Sequence, residues 1–123
     1  MADNIGNMGL NLMQNSLDAL WLRQKVISDN LANEDTPGYK AKSVEFEKLL
    51  QSAVDSADPD KITEVKARVV QDNATTMRED GNNVDVDAQS IELARTQLQY
   101  ETLVQSISSE ISRMKYVITE GRG

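Results

Sequence analysis

Residues 10–40 read LNLMQNSLDALWLRQKVISDNLANEDTPGYK, and in them Leu10, Met13, Leu17, Leu20, Ile27 and Leu31 recur at alternating steps of three and four, with Gln24 as one polar member. That alternation is a heptad seam and predicts one amphipathic helix over 10–33. No Pro or Gly falls between Leu10 and Asn33, and Trp21 and Val26 flank the seam, which widens the apolar stripe. The helix stops where Glu34-Asp35-Thr36-Pro37-Gly38-Tyr39 begins, because Pro lacks an amide hydrogen and disfavours a helical residue before it. Pro at the second and Gly at the third position of Thr36-Pro37-Gly38-Tyr39 is the pattern of a type II turn.

Downstream, Ser43 to Val54 carries Val44, Phe46, Leu49, Leu50 and Ala53 at mixed spacing, compatible with a short helix. Asp58-Pro59-Asp60 marks a boundary. Thr63 to Val70 then alternates Val65, Ala67 and Val69 with Glu64, Lys66 and Arg68, which predicts a half-buried strand paired with another segment, Thr75 to Arg78 being one candidate, or with another chain. Asp80-Gly81-Asn82-Asn83 is a turn by composition, and Asp85 or Asp87 offers a helix cap. A second helix follows over 85–120, ending before Gly121, with its stripe at Leu93, Tyr100, Val104, Ile107, Ile111, Met114 and Ile118 and Gln97 as a polar member. Gln24 and Gln97 either specify helix register or sit at the solvent edge of each stripe.

The expected architecture is therefore mainly α. A single unit over 1–123 has two long terminal heptad-patterned helices, forming a hairpin or coiled coil, joined over 34–84 by a partly irregular segment with minor β-structure. At ~1.5 Å per residue the helices reach roughly 35 and 50 Å, so an antiparallel pair leaves apolar surface uncovered, a mark of association.

Composition narrows the function. The formal net charge of -7, with no basic cluster, disfavours nucleic acid. Histidine and cysteine are both absent, which removes thiolate chemistry, Cys/His zinc sites and the histidine base. An EF-hand register begun at Asp80 places Val84, Asp85 and Ile91 where a ligand, the Gly and the final Glu belong, so the acidic loop fails as a calcium site. No catalytic residue, cofactor, metal or small-molecule substrate is expected. The acidic start, Met1-Ala2-Asp3-Asn4, is unlike a cleaved secretory signal, and no apolar run reaches ~18 residues, so no membrane span is expected.

Asn30-Leu31-Ala32-Asn33-Glu34-Asp35-Thr36-Pro37-Gly38-Tyr39-Lys40, following a heptad helix, resembles the Ala-Asn-x-x-Thr-Pro-Gly-Tyr signature of flagellar basal-body rod and hook proteins, with Asn30, Ala32, Asn33, Thr36, Pro37, Gly38 and Tyr39 as its signature residues. Gly81-Asn82-Asn83-Val84-Asp85-Val86-Asp87, with Glu92-Leu93-Ala94 and Gln97-Leu98-Gln99-Tyr100, is similar to the C-terminal block of the proximal rod subunits of that family. The resemblance implies a structural protein whose terminal helices assemble into the rod, a tube that transmits torque and surrounds the export channel. It also implies export through the flagellar type III apparatus without signal cleavage and a place in the periplasmic basal body. Implied partners are further copies, FlgC-like rod subunits, the adaptor FliE and the MS-ring region. The Thr36–Tyr39 loop is expected to fix the chain's exit from the first helix and to seat Tyr39 at a subunit contact. A helical adaptor or export chaperone that binds a partner helix through the same stripes is the alternative from another class.

Overall fold

The computed structural model describes residues 2–76 and 78–122. Met1 of the acidic start, Met77 of the expected strand 75–78 and Gly123 of the C-terminal tail lie outside the described residues. The element order is α1 (Ala2–Ala32), β1 (Lys42–Glu45), α2 (Glu47–Asp55), α3 (Pro59–Thr63), β2 (Arg68–Gln71) and α4 (Val86–Arg122).

The long helices α1 and α4, of 31 and 37 residues, span roughly 46 and 55 Å at ~1.5 Å per residue. They run antiparallel: Asn30 near the end of α1 bonds Gln89 near the start of α4, while Ser16 and Ser106 line one groove farther along. α1 begins well before Leu10 and passes through Gly6 and Gly9, although glycine costs a helix interior ~1 kcal/mol relative to alanine. α4 likewise passes Gly121, where the sequence pattern ended it. Its start matches the capping expectation, since the Asp85 carboxylate accepts from the Ala88 amide at 3.1 Å and satisfies one exposed donor of the first turn.

The central segment departs from its strand reading. The Asp58 carboxylate accepts from the Asp60 amide at 3.0 Å and Pro59 occupies the first turn, so Thr63, the first residue of the expected strand, is instead the last of the helix α3. The strand is confined to Arg68–Gln71 and pairs antiparallel with Lys42–Glu45 rather than with 75–78, in the register Lys42 to Gln71 and Glu45 to Arg68. Its alternation also shifts: Val65 is buried and Ala67 half-buried, but Val69 is 45% exposed, because nothing among the described residues covers the outer face of the two-stranded ribbon. Of the stretch Ser43–Val54, the first part is β1 and only Glu47 onward is helical.

The core is small. Ala19, Phe46, Ala53 and Val65 are buried together, with Leu49, Leu50, Ile62 and Ala67 packed against them. Ala19, at 1% exposure, lets the central segment approach the α1 backbone closely, and Phe46, the chain's one phenylalanine, fills the space. Burying such a side chain contributes roughly 1.5–3 kcal/mol. Polar side chains on either side of Ala19, on the same face of α1, hold the same segment. Asn15 donates to the Thr63 carbonyl at 2.8 Å, and Arg23 donates to the Val44 carbonyl at 3.0 Å and to both Glu47 oxygens at 2.7 Å.

The apolar stripes are partly covered. On α1, Ile27 is buried and Leu10, Met13, Leu17, Leu20 and Leu31 are half-buried, while Trp21 is 57% exposed and does not widen the packed face. On α4, Leu93, Tyr100, Ile107 and Met114 are half-buried, but Val104, Ile111 and Ile118 are exposed at 39, 42 and 58%. The less exposed positions are the buried Thr96 and the half-buried Leu103 and Glu110, one residue earlier than Gln97, Val104 and Ile111. A seam alternating three-then-four and one alternating four-then-three share half their members, and one neighbouring helix covers only one of the two.

Candidate functional site

The two signature blocks, distant in sequence, meet where α1 ends and α4 begins. Asn30 sits on the last turns of α1 and is fully buried. Its amide nitrogen donates to the Lys42 carbonyl at 2.7 Å and to Gln89 Oε1 at 3.0 Å. Its oxygen accepts from the Tyr39 hydroxyl and the Lys42 amide, both at 3.0 Å. The side chain thus meets α1's own exit loop, the first residue of β1 and the first turn of α4. An asparagine with its donors and acceptor occupied is tolerated in such a place because none of its polar atoms is left desolvated and unpaired.

Asn82, also fully buried, serves the turn. Its amide donates to the carbonyls of Asn33 and Thr36, each at 2.9 Å, and its oxygen accepts from the Val84 amide at 2.8 Å. Asn82 therefore gives a second donor to carbonyls that the Thr36 and Tyr39 amides of the turn also meet, from a position 49 residues beyond Asn33. Asn83 does the equivalent for the approach to the block. Its amide donates to the Asp72 and Thr75 carbonyls at 2.9 and 3.1 Å, and its oxygen accepts from the Ala41 amide. Among the described residues no buried side-chain nitrogen or oxygen lacks a partner.

The turn itself has the expected form. Tyr39 donates its amide to the Thr36 carbonyl at 3.2 Å and Gly38 has φ +74°, the left-handed conformation that a type II turn requires at its third position. Gly38 donates to the Asp80 carbonyl at 2.8 Å, and Gly81, with φ +84°, lies so close that a Cβ there would stand 3.6 Å from Gly38 Cα. The Asn83 amide donates to the Tyr39 carbonyl, and Lys40 reaches across to the Gly81 carbonyl and the Thr76 hydroxyl. Thr36, whose hydroxyl donates to Asn33 Oδ1, lies exposed with Ala32, Pro37 and Gly38, whereas Tyr39 is half-buried with its hydroxyl turned inward. Burial, then the Asp29 carboxylate, raises the Tyr39 pKa. Val84 is buried beside the clasp and Asp85 is exposed at the helix cap.

The sequence pattern marked both blocks but not their union. It also passed over Gln89, Arg23 and Asn15, whose polar side chains hold α1 to α4 and to the central segment. The available signal was the recurrence of Asn15, Ala19, Arg23, Val26 and Asn30 at steps of three and four, a stripe hidden by its mixed polarity. No group of His, Cys, Asp and Glu among the described residues is arranged to hold a metal ion, and no described helix is long and apolar enough to cross a membrane.

The arrangement is structural: a sealed polar knot at one end of a helix pair and an open apolar seam toward the other. A family described as flagella basal body rod protein matches residues 10–40, which are most of α1 with its exit turn and one half of the knot. Along its length the chain is 36% identical to the flagellar basal body rod protein FlgB of Bacillus subtilis, over 89% of this chain and 92% of that protein. The chain belongs to the flagellar basal body rod protein FlgB family. It is 36% identical to FlgB of Borreliella burgdorferi over 71% of this chain and 78% of that one, and 29% identical to FlgB of Escherichia coli over 91 and 94%. As an FlgB-family member it is a structural subunit of the basal-body rod and assembles with other rod components there. The family match stops at Lys40, so Asn82 and Asn83, which complete the knot, lie beyond it.

Proposed function

We propose that the chain builds the proximal part of the rod by associating with its neighbours through α1 and α4, in a helical tube that transmits torque and surrounds the export channel. The observation that carries this reading is the seam of α4: Val104, Ile111 and Ile118 repeat every seven residues and stay exposed, with the apolar Ile107 and Met114 between them. A heptad seam left open on a helix already paired once is a place for a further helix. When the donating and receiving surfaces differ, repetition gives an open helical array rather than a closed dimer.

The neighbours in this reading are further copies, FlgC-like subunits, the adaptor FliE and, through it, the MS-ring region. Delivery is by the flagellar type III apparatus without signal cleavage. The turn Thr36–Gly38 is the part of the signature loop exposed enough to meet a neighbour, while Tyr39 reaches that contact only by its ring, its hydroxyl being engaged by Asn30.

The test is complementation of a deletion strain, scoring hook-basal bodies by electron microscopy. The wild-type sequence restores rods, and Val104→Ser with Ile111→Ser yields soluble, helical protein but few or no rods. Intact basal bodies in the deletion strain itself would point instead to an adaptor.

A further inference from the structure

The last turns of α4 are apolar on more than one side. Tyr116, Val117 and Ile118 are consecutive, and all three are more than half exposed. Successive helix residues point about 100° apart, so these side chains face three directions, and one helix laid alongside covers only one of them. A stretch apolar over so wide an arc is at home enclosed, in a recess with walls rather than on a flat surface. Such a recess lies farther back on the molecule. α1, α2 and the middle of α4 surround a groove of about 510 Å³ whose apolar wall is formed mainly by Leu20, Phe46, Leu50, Leu98 and Leu103. Arg23 and Glu47, the charged residues of its lining, are already bonded to each other. The chain cannot fill this groove with its own last turns. α4 is one continuous helix, and Thr102 on the groove lies about 22 Å from Val117 at ~1.5 Å per residue.

We propose that the last turns of α4 of one copy dock in the groove between α1, α2 and α4 of the next copy, with Val117 and Ile118 as the inserted side chains. The proposal rests on the reading above that α4 carries the contact between neighbours, and it names the surface that receives it. Charge selects a second copy as the host. From Ile111 onward the chain carries Arg113, Lys115 and Arg122 against Glu120, within a sequence whose formal net charge is -7. That basic stretch is drawn to the acidic remainder of another copy, while two such stretches repel each other. The donating turns and the receiving groove are different surfaces, and every copy offers one of each. The contact therefore continues from copy to copy instead of closing as a pair.

The sequence contains no cysteine, so introduced thiols can be followed without a background from this chain. Val117→Cys places one on the docking turns and Thr102→Cys one on the groove lining, both at exposed positions. The helix between them is too long for a disulfide within one chain, so any bond joining 102 to 117 links two copies. Hook-basal bodies assembled from the double variant in a deletion strain are oxidised, and the bonds are read by peptide mass mapping. The expected result is a 102–117 disulfide and a ladder of covalent multiples of the chain, where each single variant gives dimers at most. Val117→Cys combined with Gln97→Cys, exposed on α4 and away from the groove, gives no 97–117 bond. Rods that form without the 102–117 bond, or with an equal 97–117 bond, overturn the docking and leave the rod assignment standing. Failure of the unmodified chain to restore rods overturns both. If the double variant does not assemble, purified full chains of the two single variants, mixed at high concentration and oxidised, decide: a 102–117 bond supports the docking and its absence overturns it.

Discussion

The clasp end and the far end of the same two helices solve opposite problems. Around Asn30, Asn82 and Asn83, backbone groups left open by the end of α1 and by the irregular approach to α4 are each met by a side chain of this chain. Toward the other end, Ile111, Val117 and Ile118 are exposed at 42, 63 and 58%, and no polar bond among the described residues joins α4 to α1 there. One end is complete within a single chain; the other leaves an apolar seam exposed. Buried polar groups cannot wait for a partner, because each unpaired one costs about 1–3 kcal/mol, whereas an aliphatic stripe can remain in water at modest cost. The polar knot therefore belongs to folding, and the apolar seam is the part proposed above for assembly.

The largest break in that contrast comes from Asn82→Ala. It leaves the buried Val84 amide without its partner and takes one of two donors from each of the Asn33 and Thr36 carbonyls, which keep the Thr36 and Tyr39 amides, and the expected loss is about 2–3 kcal/mol in urea unfolding. Gly38→Val follows. A β-branched side chain at φ +74° is strained although nothing stands within 4 Å of its Cβ, so the expected loss is about 2 kcal/mol with motility reduced. Were Gly38→Val to leave stability and motility unchanged, the turn would have no part in fixing the exit from α1.

The smallest effect is expected at the Arg23–Glu47 pair, which ties α1 to α2 outside the clasp. The hydrogen bond from Arg23 lowers the Glu47 pKa, against a smaller opposing effect of burial. A carboxylate whose folded value is depressed stabilises above its ordinary range, and that contribution is lost as pH falls through the folded value. Glu47→Gln should therefore flatten the acid limb of stability against pH and cost less than about 1 kcal/mol at neutral pH, since the Glu47 side chain is 66% exposed. A larger loss would show that the central segment depends on α1 as strongly as the clasp does.

What could be read in advance follows the range of each signal. The α1 seam, the type II turn at Thr36–Tyr39 and the Asp85 cap are written within a few consecutive residues, and all three stand in the structure. The strand was misplaced because Asp58 and Pro59 start a helix that consumes Thr63, and because a two-stranded ribbon imposes burial on one face only. The α4 stripe was half right: Leu93, Tyr100, Ile107 and Met114 are half-buried, but Val104 and Ile111 are exposed, and they are equally good heptad members until the position of the neighbouring helix is known. The clasp had no local signature. Asn82 looks like a turn residue from its neighbours, and only the folded chain brings it under Thr36.

Hydrogen exchange on the isolated full chain tests the contrast most directly, because it reads the free energy of opening segment by segment. The expected result is slow exchange from Val26 through Phe46 and from Asn82 through Thr96, with fast exchange along α4 beyond Val104 that slows once the chain is incorporated into rods. Uniformly slow exchange along both helices out to Ile118 in the monomer would contradict it, since the far end would then be complete without a neighbour.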